Sequence, residues 1–254
     1  MITDELKKDA VVGFLKEGKR ISGRAFDEYR PIVVEKDVIS SAEGSARVRI
    51  GNTQVLVGVK VDLAMPFRDK PDEGTLMVGA SLLPLASPTF EPGPPDENAI
   101  ELARIVDRGI RSAEAIDLKA LKINDEKVWG IYADIYVLDH DGNLIDASAL
   151  ATVAALDGMK MPEYVDEKVV RNTTTTLNLR EKPVTCTFSK IGDKILYDAD
   201  YAEGVATDAR ISIGVGDENV YAMQKSCKGS FTRTEVLDLI DATFEKRKEL
   251  LKYL

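Results

Sequence analysis

Two runs of short strands, each closed by helix, predict an α+β fold in which helices pack on mainly antiparallel sheets. Three observations carry this expectation. Segments rich in β-branched residues recur from Pro31 to Leu83 and again from Thr173 to Lys225. Helical segments with recognisable caps follow each run: Asp96 before Glu97, Asp146 through to Gly158, and the capping box Thr232-Arg233-Thr234-Glu235. With 254 residues, 44% of them hydrophobic, the chain has ample material for a core.

In chain order, Ala10, Val11, Phe14 and Leu15 fall at helical spacing and predict a short helix that Gly18 stops. A polar loop from Gly23 to Pro31 leads into a strand, Pro31 to Ile39. In a second strand Ala46, Val48 and Ile50 alternate with Arg47 and Arg49. Past the turn Gly51-Asn52, Val55, Val57, Val59 and Val61 share one face of a third strand, and Gly74 to Leu83 reads as a buried fourth. Four strands in succession predict an antiparallel meander. A strand from Val128 to Leu138 comes before the turn Asp139-His140-Asp141-Gly142-Asn143, expected to be exposed, and an alanine-rich helix suited to close packing on a sheet. The later strands are Thr173 to Leu179, Val184 to Ser189, Lys194 to Asp198, Ala209 to Val215 and Val220 to Lys225. A last helix aligns Leu237, Ile240, Phe244, Leu251 and Leu254.

The most informative stretch is LLPLASPTFEPGPPDENAIELARIVDRGIR, from Leu82 to Arg111. Pro84, Pro88, Pro92, Pro94 and Pro95 fix their own φ and restrict the residues before them, so the chain up to Asp96 forms a stiff extended loop. On the helix that follows, Leu102, Ile105, Val106, Gly109, Ile110 and Ala113 form an apolar band. Arg104, Arg108 and Arg111 line another face. Glu101 and Asp107 stand at ion-pairing distance in sequence, which fits a solvated face. Guanidinium groups in a row equally fit a grip on backbone phosphates, whose oxygens they bind bidentately. Charge alone does not choose. In the polar connection from Met65 to Gly74, Arg68 and Lys70 are weaker phosphate candidates, for which a solvated loop is the simpler account.

Composition narrows the function. A formal charge of −9 disfavours a whole-surface partner such as bulk nucleic acid or an anionic membrane, so any RNA contact must be local or completed by another chain. Cys186 and Cys227 have no metal-ligand spacing and suggest no disulfide framework, which fits a reducing compartment. His140 is the sole histidine, which removes multi-histidine metal sites. The N-terminal segment is charged rather than signal-like, and no apolar run reaches membrane-spanning length. A cytoplasmic location is the expectation.

The proline loop joined to ENAIELAR, with AEGSARVRIGNTQVLVGVKV before it and DGNLIDASALATVAAL after it, resembles the non-catalytic RNase PH-like subunits of the archaeal exosome, over essentially the whole chain. The resemblance implies an RNase PH-like fold in a single domain, residues 1–254, made of two related β-α halves at approximately 20–160 and 165–254. It implies a ring of three heterodimers that degrades RNA from the 3′ end by phosphorolysis. The partners it implies are a paralogous catalytic subunit, RNA-binding cap proteins and RNA.

Phosphorolysis needs a held phosphate, positive charge around the reacting phosphodiester and usually a divalent metal on carboxylates. Active members of the family carry two aspartates in a motif like E-D-x-x-G-E-A-D. Paired with Asp198 to Ile213 of this chain, the two aspartate positions hold Gly204 and Arg210. Active members also carry a Gly-Gly-Thr/Ser-Arg turn, matched here by Gly142-Asn143-Leu144-Ile145. The resemblance therefore implies no catalytic residue, no metal site and no cofactor in this chain. It places RNA backbone contact on Arg104 and Arg108, with Arg111 beyond them. Asp198, Asp200, Glu203 and Asp208 read as an acidic strand-connecting loop. An autonomous phosphorolytic exoribonuclease using Asp198, Asp200 or Asp208 is the alternative, and a stand-alone RNA-binding module is a third reading that the net charge opposes.

Overall fold

A computed structural model describes residues 2–171 and 173–254. The chain begins with α1 (Ile2–Lys16), then β1 (Ile32–Lys36), β2 (Gly44–Ile50), β3 (Thr53–Ala64), β4 (Thr75–Leu82), α2 (Glu97–Ser112), β5 (Val128–Asp139) and α3 (Leu144–Leu156). Short strands β6 (Met159–Lys160), β7 (Glu163–Val165), β8 (Lys168–Val170) and β9 (Thr176–Leu177) connect the halves. The second half holds β10 (Val184–Ile191), β11 (Lys194–Tyr197), α4 (Tyr201–Ala206), β12 (Ala209–Val215), β13 (Val220–Ser226) and α5 (Arg233–Leu250). Among the described residues no helix is long and apolar enough to cross a membrane.

The first sheet has the order β1-β2-β3-β5-β4 and the second β11-β10-β12-β13. Only the first three strands make the expected meander. β5 inserts between β3 and β4, and β4 runs parallel to it, because α2 carries the chain back across the sheet as a crossover. Val55, Val57, Val59 and Val61 all point inward, as their alternation requires, and meet Ile131, Ala133, Ile135 and Val137 of β5 in the same layer. The strand expected from Thr173 to Leu179 shrinks to β9, and the β7–β8 hairpin has no counterpart in the sequence reading.

α3 lies between the two sheets and is buried on nearly every side. Its alanines let the sheets approach closely, and Gly44 of β2 completes the fit, since a Cβ there would collide with the Ala155 carbonyl. Asp146 does not cap this helix. The helix starts two residues earlier, after Asn143 in the left-handed region, and Asp146 turns inward in its first turn. α2 meets its expectation: Asp96 accepts from the Ala99 N–H at 2.8 Å, and Leu102, Ile105, Val106 and Ile110 are buried, each stabilising the fold by about 1.5–3 kcal/mol. α5 begins at its capping box; Ile240, Phe244, Leu251 and Leu254 of the expected stripe pack partly buried against the cores, with Leu239, Thr243, Arg247 and Leu250 buried beside them, while Leu237 is exposed. Arg247 is held on that side by Glu181 at 2.9 Å and Asp217 at 2.7 Å. At α1, Val11 and Leu15 pack on the second half, whereas Phe14 stays exposed.

The joint between the halves is ionic. Asp198 is fully buried and accepts from the Arg30 Nε and Nη2 and from Asn143 Nδ2, each at 2.8 Å, with Arg24 at 3.1 Å. Burial by itself would raise the Asp198 pKa, but hydrogen bonds from Arg30 and its charge outweigh that and hold the carboxyl below its ordinary value. Glu203 pairs with Arg20 at 2.6 Å with both side chains buried, and with Asp200 it closes a capping box on α4. The expected acidic loop is thus a short helix whose carboxylates satisfy arginines from the Lys19–Arg30 loop.

Asp146 completes the joint from the first half. Its Oδ2 accepts from the Tyr29 hydroxyl (2.7 Å), Asn143 Nδ2 (3.0 Å) and the Thr187 N–H (3.1 Å), while its Oδ1 has no partner. Burial raises its pKa to about 6, partly offset by those hydrogen bonds, and the unpartnered oxygen is the natural place for the proton.

Two predictions follow from this joint. Removing one member of the buried pair, Glu203→Ala, strands Arg20 and is expected to lower the unfolding free energy by about 3–5 kcal/mol in urea titrations. For Asp146 the folded pKa lies above the unfolded value of 3.8, so its contribution is fully present below that value and is lost as pH rises to about 6. Relative to Asp146→Asn, the unsubstituted chain should gain up to about 3 kcal/mol in urea stability as pH is lowered from about 7 to about 4. Parallel pH profiles of the two chains would overturn this assignment.

Candidate functional site

α2 presents its arginines to solvent. Arg111 is held by Asp107 at 2.7 Å and donates to the Leu76 carbonyl at 2.8 Å, so the expected i, i+4 pair forms. The other expected pair does not. Glu101 turns into a cleft, and among the described residues Arg104 makes no ion pair. Arg108 donates to the Gln224 side chain on β13 at 3.2 Å and likewise lacks an acidic partner among the described residues. Two neighbouring guanidinium groups on one exposed helix face are therefore not neutralised by any carboxylate among the described residues. Lys70 pairs with Glu73 at 2.8 Å and shares with Arg111 a separate hollow of about 280 Å³, and Arg68 is exposed in the same loop.

The cleft that takes Glu101 lies between the halves and has a volume of about 350 Å³. Its walls come from the proline loop, α2, the β5–α3 turn, α4, β10 and β12. The turn Gly142-Asn143-Leu144-Ile145 and the positions Gly204 and Arg210 all line it, so the two segments singled out by separate motifs meet in one place. Gly142, at φ +86°, is required for this meeting. A Cβ there would come within 2.8 Å of the Asp200 Cα and 2.5 Å of its carbonyl carbon.

The chemistry of the lining does not fit a divalent metal. Glu101 is its single carboxylate, and a guanidinium stands at one of the positions where the resemblance looks for an aspartate. Asp198, Asp200, Glu203 and Asp208 are not among the lining residues. The first three serve the ionic joint and the α4 cap, and Asp208 accepts from the Gly192 N–H at 2.8 Å. No cluster of three or more His, Cys, Asp or Glu among the described residues is arranged to hold a metal ion.

His140 is not the exposed turn residue that the sequence suggests. Its ring stacks on Phe90 with centroids 5.3 Å apart and meets the edge of Tyr201 at 5.4 Å, and all three rings line the cleft. Burial lowers its pKa, partly offset by Asp141 and Asp139, so the imidazole is neutral at neutral pH. Arg210 donates through Nε to the Ser226 hydroxyl at 3.0 Å, and its two terminal nitrogens have no hydrogen-bond partner among the described residues. Sequence reading missed the roles of Arg20, Arg24, Arg30 and Tyr29. The available signal was a basic loop at Lys19–Arg30 in a chain with an acidic run at Asp198–Glu203.

Residues 28–162 match the 3′ exoribonuclease family, domain 1, and residues 182–246 match domain 2 of the same family. Curated relatives named exosome complex component Rrp42 include that of Methanothermobacter thermautotrophicus, 45% identical over all of this chain and 96% of the relative. That of Archaeoglobus fulgidus is 47% identical over 97% of this chain and 95% of the relative. Among solved structures, a chain of the Archaeoglobus fulgidus exosome with RNA bound to the active site superposes with a TM-score of 0.93 at 46% identity, covering 99% of both chains. Rice Rrp46, at 17% identity and a TM-score of 0.69 over 92% of this chain and 97% of its own, shares the fold. With both family segments matched in order and near-complete relatives well above 40% identity, the chain belongs to the RNase PH, or 3′ exoribonuclease, family.

Proposed function

We propose that this chain is a non-catalytic, RNA-gripping subunit of an archaeal exosome. In this reading it pairs with a paralogous catalytic subunit, and three such pairs form a ring that degrades RNA from the 3′ end by phosphorolysis, together with RNA-binding cap proteins. The observation that carries it is the lining of the cleft: Leu144, Ile145, Gly204 and Arg210 stand where metal carboxylates and a phosphate turn would be needed. The names of the relatives support the assembly.

RNA contact falls to Arg104 and Arg108. Neither is committed to an internal carboxylate among the described residues, and a backbone grip needs only positioned cations, with no reading of bases. Arg111 continues the row, although Asp107 already engages its guanidinium. The acidic remainder of the surface limits non-specific binding by the chain alone, so the grip acts where a partner completes the path.

Purified without its partner, the chain is expected to leave a 3′ single-stranded RNA intact with inorganic phosphate and Mg²⁺ present, and activity should appear on adding the paralogue. Phosphate-dependent degradation by the chain alone would instead favour the autonomous enzyme. In the reconstituted complex, Arg104→Ala combined with Arg108→Ala should weaken RNA retention about tenfold or more. The slope of log affinity against log salt should become shallower by about 1.4, the share of two phosphate contacts on a single strand. Equal affinity and slope would return both arginines to a merely solvated face.

A further inference from the structure

The mismatch between the cleft and a divalent metal has a positive side. A site that gathers carboxylates attracts cations, whereas this one offers a half-buried guanidinium whose terminal nitrogens have no partner among the described residues. Such a group binds a tetrahedral oxyanion directly, through charge-assisted hydrogen bonds. Ser189 and Thr207 share the lining from the same half as Arg210, the Thr207 hydroxyl already donating to the Glu203 carbonyl at 2.8 Å.

The rest of the lining selects what carries that anion. Phe90, neutral His140 and Tyr201 form an aromatic wall suited to a planar ring. From α2, Asn98 and Glu101 offer a donor and acceptors for exocyclic amine or ribose hydroxyl groups, and the Glu101 carboxylate repels phosphate from that side. The volume of about 350 Å³ falls at the lower end of pockets that take small ligands, the size of one nucleotide rather than a chain of them. We propose that this cleft binds a nucleoside 5′-monophosphate without a metal ion, with its phosphate on Arg210 and its base against the Phe90–His140–Tyr201 wall. The site is distinct from the arginine row, which lies outside the cleft on α2.

The sole histidine gives the cleft its own reporter. Proton NMR of the His140 ring in the full-length chain, with EDTA present, should show a saturable shift on titration with AMP. Adenosine, which lacks the phosphate, should bind at least about tenfold more weakly, and inorganic phosphate alone should leave the ring resonances in place. Arg210→Ala should weaken AMP by a similar factor, and Arg210→Lys, which keeps the charge but not the planar fork, should fall between the alanine variant and the unsubstituted chain. Absence of a saturable shift, a requirement for added Mg²⁺, equal binding of AMP and adenosine, or unchanged affinity in Arg210→Ala would each overturn the proposal. The adenosine comparison and the lysine variant decide the matter if the alanine variant fails to fold. Since the titration contains neither RNA nor a second protein, its failure would leave the Arg104–Arg108 grip untouched, and failure of that grip would leave this site untouched.

Discussion

The contact between Asp198 and Arg30 is the constraint on which the rest of the molecule depends. A carboxylate with no exposure at all must be compensated inside the protein, and here Arg30 meets it with two guanidinium nitrogens, Arg24 with a third, and Asn143 with its amide. Those donors come from the loop before β1 and from the turn before α3, while Asp198 follows β11 in the other half. One buried charge therefore fixes the separation of the two sheets. Because Asn143 also donates to Asp146, the same joint sets the start of α3, the helix on which both sheets pack.

This arrangement explains why acidity in the Asp198–Asp208 segment is not chemistry in the cleft. An acidic run next to a cavity suggests metal binding, but these carboxylates are already engaged inside the protein. Asp198 and Glu203 have their oxygens directed at arginines, and Asp200 is occupied by the backbone of its own helix. The joint lies behind the cleft and keeps these carboxylates out of its lining. The cleft lining is thereby left with one arginine and one carboxylate, Glu101, among apolar, aromatic, amide and hydroxyl side chains.

Much of the fold was legible because it rests on local rules. The alternation from Val55 to Val61, the cap at Asp96 and the box at Thr232–Glu235 each encode an element whose neighbours in sequence are its partners in space. The failures share a cause as well. β5 enters between β3 and β4 because of a crossover tens of residues long, which no window of sequence contains. Asp146 looks like a cap in isolation and becomes a buried acceptor only when Tyr29 and Thr187 arrive from elsewhere. Leu237, expected on the apolar stripe of α5, is exposed, and the buried Arg247 finds its partners Glu181 and Asp217 in segments far from the helix in sequence. For the candidate site, the motifs located both walls of the cleft, but its aromatic character was hidden. His140 belongs to a turn, Phe90 to a proline loop and Tyr201 to a helix too short to show periodicity.

α2 unites these themes, because one helix serves two surfaces of opposite character. Its Leu102 and Ile105 side forms a wall of the cleft, and Glu101 leans into that wall instead of pairing with Arg104. Had Glu101 closed on Arg104, the helix would carry an ordinary exposed ion pair worth little in stability, and the guanidinium would be half neutralised. With Glu101 in the cleft lining, Arg104 has no ion-pair partner among the described residues and the cleft gains a carboxylate. One glutamate thus bears on both surfaces, since it lines the inner one and makes no ion pair with Arg104 on the outer one among the described residues. The proline loop fixes where α2 begins, so it sets the register in which residue 101 faces the cleft and residues 104 and 108 face outward. A stiff loop before an amphipathic helix is the physical means by which this chain keeps an anion-attracting row and a charge-selective pocket on the same turn of backbone.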